Sequence, residues 1–329
     1  MSSFRRRFVY LVVDGGYNRR RRASLDSCFH MRRINMSRFF YPQSPPPPPM
    51  DMVVDDDARR RLPRPCMTFY SPSAMHFMLL GRDSKVLAVD HEGRAAIYDS
   101  ASAAIRVAPA LIKPKRISFL SPLPPPPYQP YAGVRAYAVV NGEDDAAMIW
   151  VSTDDGATYS FDTARRGWAK QGDWALPFRS LAVYVADYNL WFALNDAGNL
   201  CAFDLAATAN SSPAPPRPQR PRPHKEWKLV TSYLVHLGSG RFCVARIFEN
   251  KVKIPGDCGC YCCEMETRTE THAVFTGVEV APCGKAGRGQ VRVLSLATWH
   301  SSGMGAVEHV IIGGFGFHVL ARRIKNFLY

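Results

Sequence analysis

The chain has 329 residues, 47% of them hydrophobic, and a formal net charge of +14. This length provides material for one large domain or two ordinary ones, and the absence of any run of about 18 apolar residues argues against a transmembrane helix. Aromatic and β-branched residues stand in short runs between Gly, Pro, Asp and Asn, which favours an all-β fold.

The N-terminal segment predicts a hairpin. Phe8–Val13 is a compact apolar strand, broken by Asp14 with no small-residue cleavage site after it, so we expect no secretory signal. Asp14-Gly15-Gly16 predicts a turn, and the alternating segment Ser27–Ile34 predicts the return strand. The tip of this hairpin would carry a basic contact patch made of Arg19, Arg20, Arg21 and Arg22.

The basic charge is concentrated at this end, because residues 1–64 hold fourteen arginines and no lysine. The patch could be a solvated loop, a nuclear import signal or a contact for a phosphate backbone. Nucleic-acid binding needs aromatic residues interleaved along a groove or a known recognition motif, and neither is present. We therefore expect no nucleic-acid partner.

Three stretches are too rich in proline and charge to form packed elements. Residues 42–64 contain Pro45–Pro49 and predict an extended surface linker, and residues 121–133 and 209–224 predict Pro-rich loops. We expect all three to lie within a single domain that spans residues 1–329.

A hairpin motif recurs in Val86–Asp99, Ile149–Asp162 and Leu190–Asp204. We expect the first full repeat unit to open at Cys66, with the strand that follows it and the Gly93 hairpin in one sheet. Each copy has a hydrophobic run, a turn closed by Gly, and a strand that ends in an aromatic residue and Asp. The turn residues are Gly93 and Asp99, Gly156 and Asp162, and Gly198 and Asp204, with Gly240 in a fourth copy that lacks the Asp. The aspartates recur once per copy, so we expect each to cap a turn and not to act as a catalytic carboxylate.

The spacing of these copies predicts a kelch-like β-propeller of four-stranded antiparallel blades, five or six in number. Gly156, Gly198 and Gly240 are separated by 42 residues each, a period typical of propellers. Gly93 and Gly156 are 63 residues apart, so a blade is incomplete or a long loop is inserted between residues 110 and 133. Radial stacking would bury both faces of each blade. We expect four tryptophans to pack between blades: Trp150, Trp168, Trp191 and Trp227.

Several phrases together resemble a plant family, expanded in grasses, that is catalogued as domain of unknown function sixteen sixty-eight. They are Arg7–Asp14, Lys85–Asp90, Gly172–Phe178, Asn189–Phe192 and Leu237–Cys243. That family is similar in layout to kelch and F-box-associated propellers, so the resemblance implies the same fold. It implies no catalytic residues.

The nine cysteines are odd in number, and we expect reduced thiols in the cytoplasm or nucleus. Four of them are candidate metal ligands, since thiolates bind zinc and soft metals: Cys258, Cys260, Cys263 and Cys283. They do not form matched CxxC pairs, and alternate side chains of a strand point to opposite faces. We therefore expect no metal and no cofactor.

The sequence contains no Ser-His-Asp order, no phosphate-binding loop and no dinucleotide fingerprint, so we expect no enzymatic activity. The hypothesis is a non-catalytic protein-interaction scaffold, monomeric and not bound to a membrane, whose loops on one face bind another protein. Two alternatives remain: an enzyme with a site on the propeller axis, and a basic nucleic-acid-associated protein.

Overall fold

The computed structural model describes residues 8–17, 27–40, 62–80, 85–109, 133–141, 147–205, 226–254, 266–282, 291–304 and 307–311. Regular structure in these residues is almost entirely strand. The exceptions are helix α1 (Ser37–Phe40) and a 3-10 turn at Ala186–Tyr188. The all-β class predicted from the sequence is confirmed. No helix in the described ranges is long and apolar enough to cross a membrane.

The strands follow one another along the chain in this order: β1 (Phe8–Tyr17), β2 (Ser27–Asn35), β3 (Pro65–Ser71), β4 (Met75–Leu80), β5 (Lys85–Asp90), β6 (Ala95–Asp99), β7 (Ala104–Ala108), β8 (Val134–Asn141), β9 (Ala147–Thr153), β10 (Thr158–Asp162), β11 (Gly167–Gly172), β12 (Arg179–Val185), β13 (Leu190–Leu194), β14 (Leu200–Phe203), β15 (Lys228–Gly238), β16 (Arg241–Ile254), β17 (Glu266–Pro282), β18 (Val291–Met304) and β19 (Val307–Ile311).

These strands form four sheets. Three have four strands, in the orders β19-β1-β2-β3, β4-β5-β6-β7 and β15-β16-β17-β18. The fourth has seven strands in the order β11-β10-β9-β8-β12-β13-β14. Hairpin neighbours pair antiparallel, whereas β8 and β12 pair in parallel, with Ser180 opposite Ala136. The four-strand hairpin unit expected from the repeat is therefore present in β4–β7 and in β8–β11.

The described residues fall into two compact units. One lies within residues 1–77, 219–279 and 295–312, and the other within residues 78–218 and 280–294. The expectation of a single domain stays a prediction, as do the number of blades and the closure of a ring.

The first unit has a core shared by β1, β2 and β15–β17. Val9 and Leu11 alternate along β1 and belong to one cluster with Leu237 and Phe275 from the other sheet. Val12 points to the opposite face of β1 and is also fully buried. The part of this strand from Val9 to Val13 is apolar because both of its faces are buried.

The turn predicted at Asp14-Gly15-Gly16 is wrong, because β1 continues to Tyr17. Its register against β2 shifts by one residue between Asp14 and Tyr17, which is a β-bulge. A Cβ on Gly15 would lie 2.5 Å from the Cys28 Sγ and 2.7 Å from the His30 Nε2. A Cβ here would displace the ends of these two side chains, so glycine is favoured by their close approach and not by a turn.

In the second unit, β8 is buried on both faces. Ala136 and Ala138 belong to a cluster that includes Phe178, whereas Tyr137 belongs to a cluster that includes Phe161. Successive side chains of a strand point to opposite faces, so β8 joins the two clusters of the seven-stranded sheet.

The expected start of the first repeat at Cys66 is wrong. That residue lies in β3, which pairs with β2 and not with the Gly93 hairpin, so the repeat begins with β4. Trp150 and Trp191 contribute to the cluster around Phe178, and Trp168 packs on Phe161. The predicted linker and Pro-rich loops lie almost wholly outside the described residues.

Candidate functional site

The turn glycines of the repeat have left-handed backbone conformations. The φ angles are +87° at Gly93, +87° at Gly156, +70° at Gly198 and +69° at Gly240. In three of these turns the glycine N–H donates to the carbonyl three residues earlier, for example from Gly93 to Asp90 at 3.1 Å. A side chain at these positions would be strained, since L-residues rarely adopt positive φ.

The repeated aspartates lie at the opposite ends of their sheets. Asp99 Oδ1 accepts the Ala101 N–H at 2.9 Å, and this bond lowers the pKa of the Asp99 carboxyl. Asp162 Oδ1 accepts two backbone N–H groups, those of Ala164 and Arg165, both at 2.9 Å. These are turn caps of the kind expected. Asp204 is exposed and directly follows β14.

Sequence reasoning missed a third recurring position, three residues before Gly93, Gly156 and Gly198. Asp90 and Asn195 each accept two backbone N–H groups there through their Oδ1 atoms. Thr153 occupies the same position, and its hydroxyl donates to the Asp155 carboxylate within the same turn. The sequence signal that could have identified this position is a short side chain with an oxygen atom, three residues before the turn glycine.

The connections of two repeats lie at one end of the seven-stranded sheet. Because β8 and β12 are parallel, both begin at this end, and the β9–β10 and β13–β14 turns lie there too. The segment from β11 to β12 crosses the same end. We call this end of the sheet the rim and define it as residues 133–135, 153–157, 173–180 and 195–199.

A carboxylate at the rim holds two arginines. Asp196 lies in the β13–β14 turn, and its Oδ2 accepts a hydrogen bond from Nη2 of Arg135 at 2.8 Å. Its Oδ1 accepts a hydrogen bond from Nε of Arg179, the first residue of β12. Exposed ion pairs contribute little to stability, so what this group supplies is charge placed where the turns of two repeats meet.

The backbone beside this group is strained. Ser180 follows Arg179, has a φ of +61° and is exposed. The pairing of β12 with β13 is irregular at the same point, since its register shifts between Arg179 and Val183. Strained conformations cluster at functional sites, where the surrounding structure holds them.

Buried hydroxyls attach the rim segment 173–178 to the sheet. Thr158 donates to the Trp174 carbonyl at 2.5 Å, and Ser152 Oγ accepts the Leu176 N–H at 2.9 Å. The two hydroxyls are 2.6 Å apart, and since the Thr158 proton is directed at Trp174, Ser152 donates to Thr158. These two hydrogen bonds hold the segment against the sheet at Trp174 and at Leu176.

A cysteine and a histidine meet in the first unit. The Cys28 Sγ and His30 Nε2 atoms are 3.7 Å apart, and His30 Nδ1 lies 3.0 Å from the Thr68 hydroxyl. Burial, together with the charge of Asp14, raises the pKa of the Cys28 thiol, and burial lowers the pKa of His30. The proton stays on sulfur at neutral pH, so this arrangement is a neutral contact and not a thiolate nucleophile.

Two predicted groups lie outside the described residues: the four candidate metal ligands Cys258, Cys260, Cys263 and Cys283, and the basic patch Arg19, Arg20, Arg21 and Arg22. Within the described ranges, no three His, Cys, Asp or Glu side chains converge in a way that could hold a metal ion.

Comparison with known proteins identifies the family. No curated protein matches the chain. Among solved structures, the crystal structure of the N-terminal domain of Nup159 is similar at a TM-score of 0.17 and 11% sequence identity, with 82% of this chain covered. This chain spans 56% of the length of that structure. The family model described as "Protein of unknown function (DUF1668)" matches residues 6–122 and 118–299. The chain therefore belongs to the DUF1668 family.

Proposed function

We propose that this protein is a non-catalytic interaction scaffold built as a kelch-like β-propeller. The parallel pairing of β8 with β12 supports the architecture. Rotating one four-stranded unit about an axis brings the first strands of successive units together in the same direction. Antiparallel sheets repeated in this way form a propeller, which presents its connections at the ends of the blades.

The rim is the surface that binds the partner. The observation that carries this assignment is the paired group of Arg135, Arg179 and Asp196, which lies where the turns of two repeats meet, with Arg179 and Asp196 exposed and Arg135 half-buried. Holding these side chains in advance reduces the entropy lost on binding. Charged groups arranged in this way give specificity for a complementary partner more than raw affinity.

Affinity capture from an extract of the source organism tests this function. The wild-type chain should recover a stoichiometric protein at low salt, and the variant Arg135→Glu/Arg179→Glu should lose it. Arg165→Glu, in the β10–β11 turn at the other end of the sheet, is the control and should keep it. A wild-type chain that recovers no stoichiometric protein, or two charge variants that behave alike, would contradict the proposal.

A further inference from the structure

Strand β7 is exposed to an unusual degree. It is the last strand of the sheet β4-β5-β6-β7, and within the described residues nothing pairs with its outer edge. Ile105 is 47% exposed and Val107 is 89% exposed. In the part of the chain that the structure describes, four large hydrophobic side chains are exposed, and two of them are in this five-residue strand.

The corresponding outer strand of the next repeat, β11, does not share this feature. Its one large apolar residue, Trp168, packs on Phe161 with ring centroids 5.0 Å apart. Its Lys170 pairs with Asp173 at 2.5 Å. The exposure of the apolar side chains of β7 is therefore not shared by the equivalent strand of the next repeat.

Ile105 and Val107 favour a strand but contribute little to the core. β-Branched residues stabilise strands mainly by packing against neighbours on a sheet surface. An edge strand with such residues offers both unpaired backbone groups and an apolar strip, which are the two features that an added strand uses. An extended segment beside β7 would cover both.

The charge at the centre of β7 decides what can be added. Arg106 points to the face opposite Ile105 and Val107. If a second copy of the chain paired antiparallel about the middle of β7, symmetry would place Arg106 directly opposite itself, and like charges in that position are destabilising. A strand with an acidic residue at that position would gain an opposite-charge pair.

We propose that β7 is a docking edge for an extended segment of another protein, in which an acidic residue is flanked by apolar ones. The acidic residue pairs with Arg106, and its two neighbours lie beside Ile105 and Val107. This surface is separate from the rim, and its assignment does not depend on the rim being a binding site.

Panning the full-length chain against a random peptide library on phage tests this proposal. Enriched peptides should share an apolar–acidic–apolar core. Synthetic versions should bind Arg106→Glu about tenfold more weakly than wild type, because an attractive cross-strand pair becomes a repulsive one. Replacing the acidic residue of the peptide by Lys should restore binding to Arg106→Glu.

Arg165→Glu is the matched control, since it makes the same charge change at a side chain that is 89% exposed, and it should leave binding unchanged. Circular dichroism establishes that the variants are folded. Failure to enrich any peptide, or equal binding by wild type and Arg106→Glu, would overturn the proposal. Peptides that lose binding only in Arg135→Glu/Arg179→Glu would overturn it as well, while leaving the proposed function standing. A wild-type dimer that Val107→Asp dissociates would assign the edge to a second copy instead.

Discussion

Removing the Ser152 hydroxyl tests how the rim is held. In the wild type this hydroxyl accepts the Leu176 N–H and donates to Thr158, and all three groups are buried. Ser152→Ala leaves the buried Leu176 N–H without its acceptor. An unsatisfied buried donor costs about 1–3 kcal/mol, so we expect the free energy of unfolding to fall by about 2 kcal/mol.

A double-mutant cycle separates this effect from a general loss of packing. Thr158→Val removes the second hydroxyl and the bond to the Trp174 carbonyl. Because Ser152 and Thr158 share one hydrogen bond, the summed losses of unfolding free energy in the two single variants should exceed the loss in the double variant by about 1 kcal/mol.

Urea unfolding followed by tryptophan fluorescence measures these changes. Four of the six tryptophans belong to the second unit, so their emission reports mainly on it. Ser102→Ala, in the β6–β7 turn of the same unit, removes an exposed hydroxyl whose bond to the Asp99 carboxyl water can replace, and it should change the free energy by less than about 0.5 kcal/mol. If Ser152→Ala were as mild as this control, with the same urea dependence, the account of how the rim is fixed would be refuted.

Three further predictions follow from burial and close approach. Gly15→Ala should destabilise the protein by about 1–3 kcal/mol, because its Cβ would meet the Cys28 Sγ at 2.5 Å. The control Gly167→Ala, whose Cβ meets nothing within 4 Å, should not destabilise it, and equal melting temperatures for the two variants would disprove this prediction. Burial raises the pKa of the Cys201 thiol to about 11, so at pH 8 iodoacetamide should modify it roughly a hundredfold more slowly in the native chain than in the unfolded one, as followed by peptide mass spectrometry; equal rates would contradict this. Burial lowers the pKa of His76 below its ordinary value of 6.5, so the unfolded state binds the proton more tightly and stability is lost as the pH falls below 6.5. His76→Phe should therefore lose less stability than wild type between pH 7 and pH 5 in urea titrations, and identical losses would exclude this role.

The local hairpins could be predicted because their signals are local. Gly93, Gly156 and Gly198 each need a left-handed backbone, and the strands on both sides alternate within a few residues of them. The same local reasoning failed at Asp14-Gly15-Gly16. A glycine required by a turn and a glycine required by a neighbouring side chain leave the same trace in a sequence, and the neighbours of Gly15, Cys28 and His30, are more than ten residues away.

The rim could not be predicted, because it depends on contacts between distant residues. Arg135 and Asp196 are 61 positions apart, and their proximity follows from the parallel pairing of β8 with β12. Periodicity indicates which residues of a strand share a face, but it does not indicate which strand lies beside it. For the same reason β3 was assigned to the wrong sheet, since its pairing with β2 crosses the Pro-rich segment between them.

A crystal structure of the full chain tests the proposed propeller most directly. We predict that the first strands of successive sheets, β8 and β12 among them, surround one common axis, with the rim at one end of it. Sheets stacked face to face in two layers, with no shared axis, would contradict the architecture and remove the basis for assigning the rim as the binding surface.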